Sequence, residues 1–179
     1  RIINGLIPHF YEGSLTGELR LNGQTAADLQ PWEFGKLAGS VFQDPRSQFF
    51  AAVAEDEIAF CCENYGVPPK KIGQRLSCTA NALHIDHLLS RDLHTLSSGE
   101  KQKIAIASVY AIRPDIYVLD EPSANFDFKS IEDLKKILRT LKKAGHTVII
   151  AEHRLHYLTD FIDRAVYLNK GEITAEYDR

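Results

Sequence analysis

Two carboxylates at the end of an apolar run, Asp120 and Glu121 after Ile116-Tyr117-Val118-Leu119, carry the strongest chemical signal in the chain. A buried strand that delivers adjacent acids to its carboxyl end places one where Mg²⁺ can be held and the next where a water can be activated. Upstream, Leu96-Ser97-Ser98-Gly99-Glu100-Lys101-Gln102 is a Ser-Gly turn opening a helix. Its backbone N–H groups and positive dipole end suit a phosphate. Acidic strand ends and Ser-Gly turns are each common, but the pair at this spacing points to ATP chemistry.

At these residues the chain resembles the ATP-binding cassette (ABC) ATPases. Leu96 to Gln102 looks like the family's signature motif, Ile116 to Asp120 like its Walker B strand, Glu121 like its catalytic glutamate, and Ser123-Ala124-Asn125-Phe126-Asp127 like its D-loop. Val41-Phe42-Gln43-Asp44-Pro45 is similar to the Q-loop, and Val148 to Arg154 to the strand and switch histidine, His153. The resemblance implies ATP and Mg²⁺ as cofactors. It makes Asp120 a metal ligand acting through a water, with Gln43 reaching the same ion or the attacking water. Glu121 becomes the general base, and His153 the group that contacts the γ-phosphate and orients Glu121 and water. Ser97, Ser98, Gly99 and Glu100, with Asp127, then serve a nucleotide held on a second ABC ATPase domain, so that ATP joins a head-to-tail pair. Ser98 stands where glycine is most frequent and Glu100 where glutamine is usual; neither change removes a backbone donor.

The glycine-rich Walker A string, G-x-x-x-x-G-K-[ST], does not occur. Arg1 to Leu6 looks like the last turns of the helix that follows that loop in the family, and the expectation is an N-terminally truncated domain. Within the family, Gln48-Phe49-Phe50 through Val53 to Phe60, ending Glu63-Asn64-Tyr65-Gly66, together with Gly5 to Phe10, Glu121 to Asn125 and Glu152 to Leu155, resemble the energy-coupling-factor importers of vitamins and of cobalt or nickel, and the hydroxymethylpyrimidine/thiamine type. That likeness implies a motor at the cytoplasmic face of the membrane, with a transmembrane importer subunit docking near Gln43 to Phe60. Phe49, Phe50, Val53, Ile58 and Phe60 are expected to form an exposed apolar groove for it. The alternatives are a soluble, non-transporter ABC ATPase and a fragment inactive for ATP binding.

The positioning elements follow from the pattern. With 179 residues, 44% of them hydrophobic, one domain with a real core is affordable. A net charge of −3, and a basic cluster confined to Lys135-Lys136 and Lys142-Lys143, argue against nucleic acid. No apolar run approaches the ~20 residues of a membrane span. Cys61, Cys62 and Cys78 suggest no disulfide framework, and Cys78 with His84, His87 and His94 matches no common zinc spacing. Gly17 to Gly23 alternates like an exposed strand, and a second strand runs near Leu37 to Phe42. Val53 to Tyr65 and Ala80 to Leu89 read as helices broken by Gly66-Val67-Pro68-Pro69, and Ser98 to Ile112 as a small-faced helix. Ile116 to Leu119 and Val148 to Ala151 read as strands covered on both faces, and Ile131 to Leu141 as a helix stopped by Gly145. A hairpin over 165–177 closes the chain. The predicted fold is α/β: a P-loop NTPase-like parallel-sheet core over 1–46 and 98–179, with an inserted helical subdomain over about 47–97.

Without a phosphate cradle and its lysine, the 179-residue chain is expected to bind Mg-ATP weakly or not at all. Titration calorimetry that returned micromolar affinity would contradict this.

Overall fold

The computed structural model describes residues 2–12, 14–124 and 126–178. Residues 2–5 make a turn in which the Gly5 N–H donates to the Ile2 carbonyl at 3.1 Å, ending on left-handed Gly5 (φ 72°). Only this single turn stands where the end of a helix was expected, and Arg1 lies outside the described residues. The short helix α1 (Leu6–His9) follows and is interrupted at Ile7 (φ −113°, ψ 127°). Ile7 is the residue before a proline, a position that disfavours the helical region in any chain.

The strand expected over Gly17 to Gly23 is shorter. β1 (Arg20–Leu21) pairs antiparallel with β2 (Gln24–Thr25) across Asn22-Gly23, both at positive φ. Asn-Gly is the sequence that a two-residue hairpin turn prefers, so it reverses the chain instead of ending a strand. α2 (Pro31–Leu37) begins with proline at its first turn, where no N–H is needed, and leads into β3 (Ala38–Val41).

Beyond β3 lie α3 (Ala54–Asn64) and α4 (Pro69–Leu83). Pro68 and Pro69 do not merely break the chain, as the sequence suggested; they are the N-cap and first residue of α4. The helix stops at left-handed His84 (φ 55°), so Asp86–Leu88 is a separate 3₁₀ turn and Ala80 to Leu89 is not one helix. α5 (Ser98–Ile112), β4 (Ile116–Asp120), α6 (Phe128–Lys143) and β5 (Thr147–Ala151) complete the core, and β6 (Arg164–Asn169) and β7 (Glu172–Asp178) form the closing hairpin.

β3, β4 and β5 form a parallel sheet in that order, with Val41 beside Leu119 and Leu119 beside Ile150. This register ends the three strands at one level. β4 is covered on both faces, by buried Tyr117 and Leu119 on one and by buried Ile116 and half-buried Val118 on the other. β5 is not: Val148 and Ile150 pack on the core, while Thr147, Ile149 and Ala151 are exposed. Its continuous apolar run suggested cover on both faces, but β5 is an edge strand of the described sheet and only one face meets helices.

One apolar cluster runs from Ala54, Ile58 and Cys62 of α3 and Ala80 and Leu83 of α4, through Ile104 to Ala107 of α5, to Leu134, Leu138 and Leu141 of α6. The helices of 47–97 thus share their core with the sheet layer. A second cluster, Leu21, Leu29, Phe34, Ala38 and Ile116, lies under the hairpin β1–β2. The five residues expected as one groove are divided: Ile58 is fully buried, Phe49, Val53 and Phe60 are half-buried, and Phe50 is 77% exposed. No helix among the described residues is long and apolar enough to cross a membrane.

The sheet approaches α5 closely because Gly39 lacks a side chain; a Cβ there would lie 2.9 Å from Pro114 Cγ and overlap Val109. Gly39→Ala is expected to destabilise the fold by about 1–3 kcal/mol, read by chemical denaturation. A midpoint equal to that of the parent chain would contradict the close approach.

Candidate functional site

The three parallel strands carry their chemical residues at their carboxyl ends. Gln43 lies two residues past β3, Asp120 is the last residue of β4, Glu121 follows it, and His153 lies two residues past β5. Glu121 is central. Its Oε2 accepts from Gln43 Nε2 at 2.8 Å, and its Oε1 lies 3.1 Å from His153 Nε2. Its backbone N–H donates to the Ala151 carbonyl at 2.8 Å, extending the β4–β5 ladder by one rung. That rung holds Glu121 at φ 42°, a left-handed conformation costing a non-glycine residue on the order of 1 kcal/mol or more.

Asp120 is exposed, and its side chain has no hydrogen-bond or ion-pair partner among the described residues. A hard divalent cation takes oxygen ligands, and the Asp120 carboxylate is open to one. The Gln43 amide gives its N–H to Glu121, and its carbonyl oxygen is of the ligand type that such an ion takes. The donor set therefore fits Mg²⁺.

Glu152, named in the sequence only within stretches that resemble the family and given no role of its own, is the polar hub of this region. Its Oε2 accepts from Ser123 Oγ at 2.7 Å, the Tyr157 hydroxyl at 2.8 Å and the Ser123 N–H at 3.4 Å. Its Oε1 accepts from the N–H groups of His153 at 2.9 Å and Arg154 at 3.2 Å. Burial works to raise the Glu152 carboxyl, but the donors from Ser123, Arg154, Tyr157 and His153 outweigh it and hold the group below its ordinary range. Burial, then the bond to Glu152, pushes the Tyr157 phenol upward and keeps it a donor. The signal available in the sequence was the adjacency of Glu152 to His153, with Tyr157 one turn on.

The signature residues occupy a different place. Ser97 caps α5: its Oγ accepts from the Glu100 N–H at 3.3 Å, and Glu100 Oε2 accepts from the Ser97 N–H at 2.8 Å. The Ser97 amide is the main reason the Glu100 carboxyl lies below its usual range, and Arg91, 3.2 Å away, adds to it. Ser98 is the first helical residue and is exposed, and Gly99 is buried. Asp127 caps α6 by accepting from the Ser130 N–H at 2.8 Å, and the Ser130 hydroxyl first, then this N–H, lower its carboxyl. A Cβ at Gly99 would lie 2.8 Å from Ser130 Cβ, so the signature turn is packed against the start of α6. Ser97, Glu100, Asp127 and Ser130 share the wall of one cleft of about 680 Å³. The D-loop reading includes Asn125, which lies outside the described residues.

Because the folded-state value of Glu152 is depressed, its contribution is present above the unfolded carboxyl value of about 4.3 and is lost as pH falls through the folded value. Glu152→Gln is expected to cost about 1–3 kcal/mol at pH 7 and to flatten the acid limb of the stability profile. Denaturation at pH 7 and below pH 4 checks both; parallel profiles for the two proteins would contradict the assignment.

With this geometry in place, comparison with known proteins gives the family. Residues 2–124 match the family model described as ABC transporter. A putative ABC transporter ATP-binding protein of Treponema denticola is 47% identical over 99% of this chain, and a second from the same organism is 44% identical over all of it. The chain spans about a third (36%) of the length of each of these two relatives. Among solved structures, cbiO1 from Clostridium perfringens, part of the ABC transporter complex cbiONQ, is 30% identical with a TM-score of 0.76, over 83% of this chain and 59% of that one. An ATP-binding cassette in a dimeric post-hydrolysis state bound to ADP and Pi has the same TM-score, 0.76, at 24% identity, over 91% of this chain and 73% of that one, a likeness of fold alone. The parallel α/β layer, the motif order and the matched model agree, and the chain belongs to the ABC transporter family.

Proposed function

We propose that this chain is part of the ATP-hydrolysing motor subunit of an ABC-type membrane importer, of the energy-coupling-factor type that takes up a vitamin or a metal ion. The observation that carries the reading is the hydrogen-bonded row Gln43–Glu121–His153 beside the open carboxylate of Asp120, drawn from three parallel strand ends. The importer type is supported by the likeness to cbiO1, a component of a transporter complex, and by the resemblance of the segment after Gln43 to energy-coupling-factor ATPases.

ATP with Mg²⁺ supplies the γ-phosphoryl group and the charge neutralisation that its transfer to water needs. Asp120 and the Gln43 amide oxygen would hold the ion. Glu121 takes the proton of the attacking water, through a carboxylate aimed by Gln43 on one oxygen and His153 on the other. His153, 86% exposed, reaches toward the γ-phosphate side. Ser97, Ser98, Gly99 and Glu100 and the neighbouring Asp127 face a nucleotide on a second ABC domain, in a head-to-tail pair. The helices of about 47–97 serve as the subdomain that meets the transmembrane subunit, against residues between Gln43 and Phe60, at the cytoplasmic face of the membrane. The remainder, 1–46 and 98–179, is the nucleotide-side core.

In the full-length protein, Glu121→Gln is expected to leave Mg-ATP affinity within about twofold, to lower hydrolysis by about 10²–10⁴-fold, and to accumulate an ATP-dependent dimer on size exclusion. Hydrolysis at the parental rate would remove Glu121 from the role of base.

A further inference from the structure

Gly99 is the second residue of α5 and lies outside the left-handed region, so its backbone conformation makes no demand for glycine. In a helix glycine is a poorer choice than alanine. What excludes alanine here is space. A Cβ at Gly99 would overlap Ser130 Oγ and lie 2.8 Å from Ser130 Cβ, whereas Ser130 Cα, at 3.9 Å, is at ordinary contact distance. The hydroxyl could turn aside, but the Ser130 Cβ is fixed to α6.

Ser130 is the third residue of α6, and its other side is engaged at the helix cap. Its N–H donates to Asp127 Oδ1 at 2.8 Å, and its hydroxyl acts on the same carboxylate. One turn further along both helices, Lys103 Nζ meets Asp133 Oδ2 at 2.7 Å, with side chains only 17% and 23% exposed, and Asp133 Oδ1 accepts from Lys136 Nζ at 3.0 Å. The contacts 99 to 130 and 103 to 133 advance together, so α5 and α6 start side by side and run the same way. Their first turns, with the caps Ser97 and Asp127, open on the same cleft.

We propose that Ser130 is a positioning residue for hydrolysis: it sets the separation between the signature turn at Ser97 to Gly99 and the α6 cap at Asp127, so that both meet the second ABC domain in one fixed arrangement. The proposal rests on the reading of these residues as facing a nucleotide on that domain. It adds the reason why Gly99 carries no side chain: the room is taken by Ser130 and not by the nucleotide. Ser130 touches no reacting atom and acts through the two elements that it spaces.

The test uses the full-length protein, with kcat from steady-state hydrolysis, Mg-ATP affinity from titration calorimetry and folding from thermal melting. Gly99→Ala is expected to lower kcat about tenfold or more while Mg-ATP affinity stays within about twofold. Adding Ser130→Gly, which leaves only the Cα at 3.9 Å, is expected to return kcat to within about threefold of Ser130→Gly alone. Adding Ser130→Ala instead, which keeps the Cβ at 2.8 Å, is expected to restore less. If Ser130→Gly restores nothing, the space at Gly99 serves the nucleotide and the proposal falls. If it restores the melting temperature but not kcat, the contact is packing alone and the proposal falls as well. Ser130→Ala by itself introduces no clash, so it is expected to melt within about 3 °C of the parent while lowering kcat about threefold or more. A parental kcat in that variant overturns the role of Ser130, and this arm decides even where Gly99→Ala does not fold. The underlying reading fails by a different outcome: if Glu121→Gln forms no ATP-dependent pair, there is no second domain for these residues to meet.

Discussion

From Ile104 to Ala107, α5 has four consecutive residues with no exposed surface. Successive residues project about 100° apart on a helix, so four in a row point in every direction and the helix must be enclosed on all sides. α3 and α4 cover one side, the sheet another and α6 a third, and the small residues Ala105, Ala107, Ser108 and Ala111 let them come close. The far end is tied as well: Arg75 of α4 donates to the carbonyls of Ala111 at 2.9 Å and Ile112 at 3.2 Å, occupying acceptors that a helix end leaves unsatisfied. Ser97 and its neighbours are thus aimed by the core of the domain and not by the loop before them.

The same enclosure separates two chemical faces. Sheet register gathers Gln43, Glu121 and His153 on one side, where the Glu121 carboxylate accepts from the Gln43 amide at 2.8 Å and lies 3.1 Å from the His153 imidazole. The first turn of α5 opens instead toward α6, beside Asp127 and Ser130. The two faces lie on one domain, and the first turn of α5 belongs to the second of them.

Most of this arrangement was legible because it rests on local patterns. The apolar runs before Asp120 and at Val148 gave the parallel strands, helical spacing from Ile131 to Leu141 gave α6, and Ser97 with Glu100 three residues on is a capping box that marks where α5 begins. What escaped depends on contacts far apart in the chain. Glu57, Lys101 and Glu152 are charged residues whose importance lies in partners that spacing cannot supply, and the exposed face of β5 reflects the sheet's edge and not its own composition. The start of α4 was missed for a different reason: Pro68-Pro69 breaks a helix in its interior but opens one at its first residues.

The saturation of Glu152 has a consequence for the residue after it. Its two oxygens accept five donors, among them the N–H groups of His153 and Arg154, so the main chain at His153 is clamped on both sides while the imidazole projects into solvent. What freedom remains to that ring is rotation about its own two side-chain torsions. His153 behaves as a pointer on a fixed pivot: it can swing on and off Glu121 on the timescale of a rotamer flip, with no movement of the backbone beneath it.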